Sequence, residues 1–326
     1  MLSTGLIRGH PALWLENELL RISVLPDKGA DIYELIYKPS GVDFLYKTIP
    51  GLHPPGNRLP ADIIENYEGG WQELFPNTGD ACQYHGVTLP VHGEVALLPW
   101  EFTVVRDDDF ETCVHFTVHT RLLPFRLERW MRLPGNQPLL VIEERVTNLS
   151  EEPLDFVWGH HLMLGGTFLE NGCFYDASCR TLLVPDHPKE AARARLAPGQ
   201  RQPWPRALSN YSDELIDLRK IPGPEIRSHD EVYLTDLEKG EASVVNPRLR
   251  LAFTLTWDAS LFGCIAMWQP FGGLDISPWA GSYGVGMEPW VACSNLTGAI
   301  TNGKSIRLEP KMSLDTLLTA KITETC

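Results

Sequence analysis

The stretch RLRLAFTLTW, Arg248–Trp257, sets Leu249, Leu251, Phe253, Leu255 and Trp257 on one side of an extended chain. Arg248, Arg250, Thr254 and Thr256 fall on the other side. Successive strand side chains point to opposite faces, so this alternation predicts a half-buried strand with its apolar face inward. The same period of two recurs in TCVHFTVHT around Val114, Phe116 and Val118, in PLLVIEERVTNL, and in MSLDTLLTAKI near the C-terminus. Clusters of Gly, Pro, Asn and Asp separate these runs, as turns separate short strands. With 27 glycines and 26 prolines available to end strands, the pattern predicts an all-β protein: a large sandwich of antiparallel sheets whose concave face or rim takes a ligand. Only HPKEAARARLA, His187–Ala197, has a helix-forming composition, and it is expected as one short helix between proline-rich loops.

The 326 residues suffice for one large β domain. No repeat or long linker divides them, and Pro198–Pro205 is the best boundary candidate, so a single domain over residues 1–326 is expected. A net charge of −14 repels phosphate backbones and anionic lipid heads, which argues against nucleic-acid and membrane partners. The longest uncharged stretch, Ala259–Leu274, is broken by Gly263, Pro270, Gly272 and Gly273 and is too short to span a bilayer. The N-terminus lacks a basic region followed by an apolar core and a cleavage site, so a cytoplasmic location is expected. Seven scattered cysteines with no CxxC pair predict neither a disulfide framework nor a zinc ribbon, but buried, reduced thiols.

Three places combine chemistry-bearing residues with strand context. In LPVHGEVALLPWEF, His92 sits at a strand entrance; in VWGHHLMLGG, His160 and His161 are neighbours; in YGVGMEPW, Glu288 ends a glycine-rich apolar run. A histidine at a strand entrance is ordinarily a hydrogen-bonded structural residue, and of two adjacent strand residues only one can face a given cleft. A carboxylate beside Met287 and Trp290 is expected to be buried, which raises its pKa, while a facing imidazolium or hydroxyl counters the shift.

Taken in order, LENELLRISVLPDKGADIYELIYKPSGVDFLYK, GGWQELFPNTG, HGEVALLPWEF, GHHLMLGG, HDEVYL, GMEPW and LEPKMSLDTLLTAKI resemble the aldose 1-epimerase (galactose mutarotase) superfamily over nearly the whole length. The likeness is nearest to its glucose-6-phosphate 1-epimerase-like branch. It implies a β-supersandwich with an open sugar site, a small-molecule carbohydrate substrate, no cofactor or metal, and leaves a homodimer open. It implies Glu288 as the base on the anomeric hydroxyl. His160 is the better match to the acid on the ring oxygen, with His161 its competitor, and His92 matches the family's other histidine. Asp230 matches the sugar-hydroxyl aspartate. Trp71 and Trp268 would wall the sugar's C–H face, with Gln72 beside them; core packing is the alternative for both tryptophans. The family carries an arginine just ahead of the GGWQELFPN segment, where this chain has Glu68. Arg58 is the substitute from further back; the change weakens the case for a phosphorylated sugar and favours a neutral or unusual one, with a sugar-phosphate epimerase as an alternative.

Other chemistries fit less well. No HxH pair is present for a cupin-like metal centre, and His115 and His119 are too far apart along one strand face to share an ion. A glycoside hydrolase would need paired carboxylates, for which Glu73, Glu94 and Glu288 are candidates. The glycine runs lack the three-glycine turn of dinucleotide-binding folds. A non-catalytic sugar-binding protein remains the alternative to an isomerase.

Overall fold

The computed structural model describes residues 1–56, 63–187, 191–276 and 279–325. Every strand ladder among these residues is antiparallel. One meander runs through the strands Glu101–Asp107, Glu111–His119, Phe125–Pro134 and Leu139–Asn148 to the C-terminal strand Ser313–Glu324, which pairs onward to Leu251–Trp257. A second begins with Leu2–Ile7, His10–Glu16, Leu20–Leu25 and Asp31–Tyr37. It continues through Trp71–Leu74 to Gly159–Leu164, then to Glu288–Trp290 and Cys264–Phe271.

The 19-residue strand Ser228–Asn246 joins the two paths. Its first half pairs with Cys264–Phe271 and its second with Leu251–Trp257. Between the halves Asp236 has φ of 55° and the ladder to Phe174–Leu183 slips between Ala177 and Cys179. A bulge of this kind bends a strand and lets it turn a corner between layers.

Period-two patterning explains which faces meet. Phe125–Pro134 alternates strictly, with Phe125, Leu127, Met131 and Leu133 inside. The inward phase also contains Arg129, only 3% exposed, which forces a buried counter-charge network. The stretch Arg248–Trp257 is half strand: the ladder starts at Leu251, while Arg250 at φ of 56° and an Asn246 side chain accepting from the Leu249 N–H make a turn of the residues before it.

The expected helix at His187–Ala197 is not formed. Among its described residues only the turn Ala191–Arg193 is helical, and of the 3₁₀ type. The Asp230 carboxylate accepts from the backbone N–H groups of Arg195 and Leu196 at 3.0 and 3.1 Å, satisfying donors that a continuing helix would otherwise use. Among the described residues the α-helix is instead Leu296–Thr301, capped by the Asn295 side chain. Cys82, Cys113, Cys173 and Cys264 are buried and unpaired as disulfides, whereas Cys179 and Cys293 are only half-buried; Cys326 lies outside the described residues. Among the described residues no helix is long and apolar enough to cross a membrane.

Candidate active site

A cavity of about 570 Å³ opens where Gly159–Leu164, Cys264–Phe271, Glu288–Trp290 and the first half of Ser228–Asn246 converge. That is within the ~300–1,000 Å³ of small-molecule sites. Four of the predicted residues, Glu288, His161, His92 and Trp268, meet in it. Glu288 is 2% exposed, and its Oε1 lies 3.8 Å from His161 Nε2. The His161 ring is 5.5 Å from that of His92, which stands 5.7 Å from the Trp290 indole. Trp268 also lines the wall.

Backbone constraints hold Glu288 and the two histidines. His92 and Gly93 both adopt left-handed φ, 60° and 77°, and a Cβ on Gly93 would lie 2.2 Å from the Phe75 carbonyl oxygen, so only glycine permits the turn that presents His92. The His92 ring is anchored by Gly79, whose N–H donates to Nδ1 at 3.1 Å; a neutral ring therefore carries its proton on Nε2. Gly286 leaves room for the Glu288 carboxylate, since a Cβ there would sit 2.5 Å from Glu288 Oε1 and 2.8 Å from the Trp268 backbone nitrogen.

His160 faces the other way. On Gly159–Leu164 it is paired with Glu73, and His161 with Gln72, so strand alternation turns His160 into the core while His161 takes the cavity. His160 is fully buried. Its Nε2 lies 3.2 Å from Glu144 Oε2, and Trp71 Nε1 donates to its Nδ1 at 3.2 Å. Arg129 completes the cluster, donating to Glu144 Oε1 at 3.0 Å and to Glu73, which also accepts from Trp158. Burial and then the Glu144 charge push Glu73 up to about 7. Against its own burial, His160 and Arg129 hold Glu144 down at about 2. The two carboxylates favour a protonated His160 against its burial, whereas the Trp71 contact needs a lone pair on Nδ1. The direct geometry assigns a neutral ring with its proton on Nε2, toward Glu144. Glu73, Glu144 and His160 offer donors within 4.8 Å of one another, a spacing suited to a metal ion, yet Arg129 already supplies the positive charge between the carboxylates.

The remaining predicted residues also serve the frame. Trp71 is committed to His160 and packs in the core. Gln72 donates to the Gly69 carbonyl at 2.7 Å and to Asp31 at 3.3 Å and does not line the cavity. Asp230 points away from the cavity, and Arg195 Nε lies 3.1 Å from its Oδ2. Arg58 lies outside the described residues. Glu68, at the position of the family arginine, is buried with Lys28 Nζ 2.5 Å from its Oε2, and burial pushes it up to about 8 against the pull of Lys28. Of the hydrolase carboxylates only Glu288 reaches the cavity: Glu73 is in the core cluster, and Glu94 accepts from the Arg121 and Leu122 backbone at 2.9 and 3.0 Å. His115 stacks on Trp130 at 4.3 Å, away from the cavity.

Several lining residues carried no sequence prediction. His229 and Glu231, flanking Asp230, face the cavity, with Tyr233 donating to Glu231 at 2.6 Å. Tyr67, next to Glu68, meets His161 edge-on at 5.0 Å, and Trp279 packs against Tyr67 and Trp268. Asp80, Ser294 and Asn295 complete the rim. Each of Tyr67, His229 and Glu231 is one position from a residue singled out by motif, and for His229 and Glu231 the available signal was the opposite phase to Asp230.

The antiparallel β-sandwich has the fold of solved galactose mutarotase-like proteins. The Slr1438 protein from Synechocystis sp. PCC 6803 superposes with a TM-score of 0.70 at 19% identity, covering 96% of each chain. A galactose mutarotase related enzyme from Lactobacillus acidophilus gives 0.65 at 18%, covering 96% of this chain and 98% of that one. A galactose mutarotase-like protein from Clostridium acetobutylicum gives 0.65 at 14%, covering 100% and 99%. At these identities the likeness is one of fold. No curated protein matches the sequence. Residues 7–322 match the family described as a domain of unknown function, DUF4432, and the chain belongs to that family.

Proposed function

We propose that the chain is an aldose 1-epimerase acting on an unphosphorylated sugar, with Glu288 and His161 as its base and acid. The observation that carries this is their 3.8 Å approach inside the cavity with His92 alongside. The anomeric oxygen O1 and the ring oxygen O5 share one carbon, so the groups that serve them must be close neighbours. Glu288 takes the proton from O1–H while His161 delivers one to O5; the C1–O5 bond breaks and C1 becomes a carbonyl. Rotation about C1–C2 presents the other carbonyl face, O5 re-attacks as His161 recovers its proton, and Glu288 returns one to O1. Each positioned group contributes roughly 10²–10⁴-fold. His92 lies beside the exchanging atoms, Glu231 offers a carboxylate to the sugar hydroxyls, and Trp268 offers an apolar face to its C–H groups.

The charge of the site supports the substrate class. Asp80, Glu231 and Glu288 line the cavity, and no Lys or Arg does so among the described residues. The nearby cations are committed: Lys28 to Asp31 and Glu68, Arg195 to Asp230, Arg193 and Arg227 to Asp275. The test follows anomer exchange in an aldose panel by NMR with wild type and Glu288→Gln. Exchange accelerated by wild type and slowed at least 100-fold by the substitution is expected; sugar binding without acceleration would make the protein a binder instead.

A further inference from the structure

Trp268 and His229 occupy adjacent strands of the cavity wall, Cys264–Phe271 and Ser228–Asn246. Trp268 Nε1 donates to His229 Nε2 at 2.6 Å, with the rings nearly perpendicular at 88°. The indole N–H is that side chain's sole polar group and a donor only, so this bond fixes the rotation of the ring about its stem. The acceptor must carry a lone pair, which places the proton of a neutral His229 on Nδ1. Three further rings surround Trp268 among the described residues, His161 at 6.0 Å, Trp279 at 5.6 Å and Tyr67 at 6.4 Å. They confine the indole without fixing its tilt as a directional bond does.

The geometry points to His229 as the positioning residue for the Trp268 sugar platform. This role rests on the carbohydrate function proposed above. Stacking of a pyranose C–H face on an aromatic ring depends on ring orientation, and Glu231 lies directly across the ladder from Trp268. A tilted indole would therefore lose the sugar face and crowd the carboxylate that meets the hydroxyls. The loss falls on binding, since His229 holds neither O1 nor O5.

The test compares His229→Leu, which cannot accept the indole proton, with His229→Gln, whose Oε1 can. Indole N–H resonances are followed by ¹H–¹⁵N NMR, with Trp268 assigned through Trp268→Phe, and KM and kcat are measured on the aldose exchanged fastest. In His229→Leu the Trp268 resonance moves upfield and KM rises about 10-fold with kcat within about threefold; His229→Gln restores both. Equal impairment in the two variants, or a kcat loss at unchanged KM, overturns the positioning role. If an aldose shifts the wild-type indole resonances but binds His229→Leu equally well, the positioning role fails while the functional proposal stands. If no aldose shifts any indole resonance, both fall.

Discussion

Replacing His161 and His160 by alanine, one at a time, separates chemistry from architecture at adjacent positions. His161 faces Glu288 at 3.8 Å and is held mainly by ring contacts. Its removal takes away the proposed acid, worth 10²–10⁴-fold or about 2.7–5.5 kcal/mol of barrier, while leaving the frame in place. His160→Ala does the reverse. It strips the acceptor from Trp71 Nε1 and removes the ring beside Glu144 Oε2 in the core, at roughly 1–3 kcal/mol for the indole N–H left unsatisfied. A loss of about 3–5 kcal/mol follows once the vacated volume is included, and for a chain of this length it lowers Tm by about 4–8 °C. The assay pairs anomer-exchange rates at saturating aldose with thermal unfolding followed by near-UV circular dichroism. His161→Ala is expected to lose activity at nearly wild-type Tm, and His160→Ala to lose stability while keeping kcat within about tenfold below its lowered Tm. An active His161→Ala beside an inactive His160→Ala of unchanged Tm would refute the assignment of faces.

Arg129→Met leaves Glu73 and Glu144 facing each other without their shared cation; a cost of about 3–5 kcal/mol in chemical denaturation is expected, and a midpoint unchanged from wild type would count against the network. Stability should decline as pH rises from about 4.5 to 8, because Glu68 and Glu73 have folded pKa values raised to about 8 and 7, so the stability from their protonated forms is complete below the unfolded value and lost as they ionise. Glu68→Gln should flatten that slope in Tm-against-pH series, and an identical slope in both proteins would dismiss the cause. Glu144, held at about 2, works in the opposite sense: its contribution is present above about 4.5 and lost as pH falls toward 2. An aldose 6-phosphate should be exchanged at least tenfold more slowly than its parent sugar, from repulsion by Asp80, Glu231 and Glu288; a preference for the phosphate that Arg58→Ala abolishes would instead place a cation in the site.

Period two was legible wherever one face is apolar and the other polar. The strands Glu111–His119, Leu139–Asn148 and Ser313–Glu324 lie where alternation placed them. Arg129 in the inward phase of FRLERWMRLP went unread, although a guanidinium with that phase must find carboxylates. The helical composition of His187–Ala197 misled because propensity is a weak local preference, and the Asp230 carboxylate offers the Arg195 and Leu196 N–H groups a distant acceptor. Glu288, His161 and His92, which the motifs had singled out, line one cavity.

Which member of each adjacent pair reaches the cavity was decided by tertiary structure alone. His160 or His161, and Asp230 or its neighbours, differ by a single position, and in a strand that difference reverses the face. Alternation fixes only that neighbours oppose each other; the inward sense comes from register, here His161 against Gln72 and Glu231 against Trp268. That register is set by long-range ladders between segments far apart along the chain, where hydrogen-bonded partners and buried charges such as Arg129 leave room for one pairing and not for its one-residue slip.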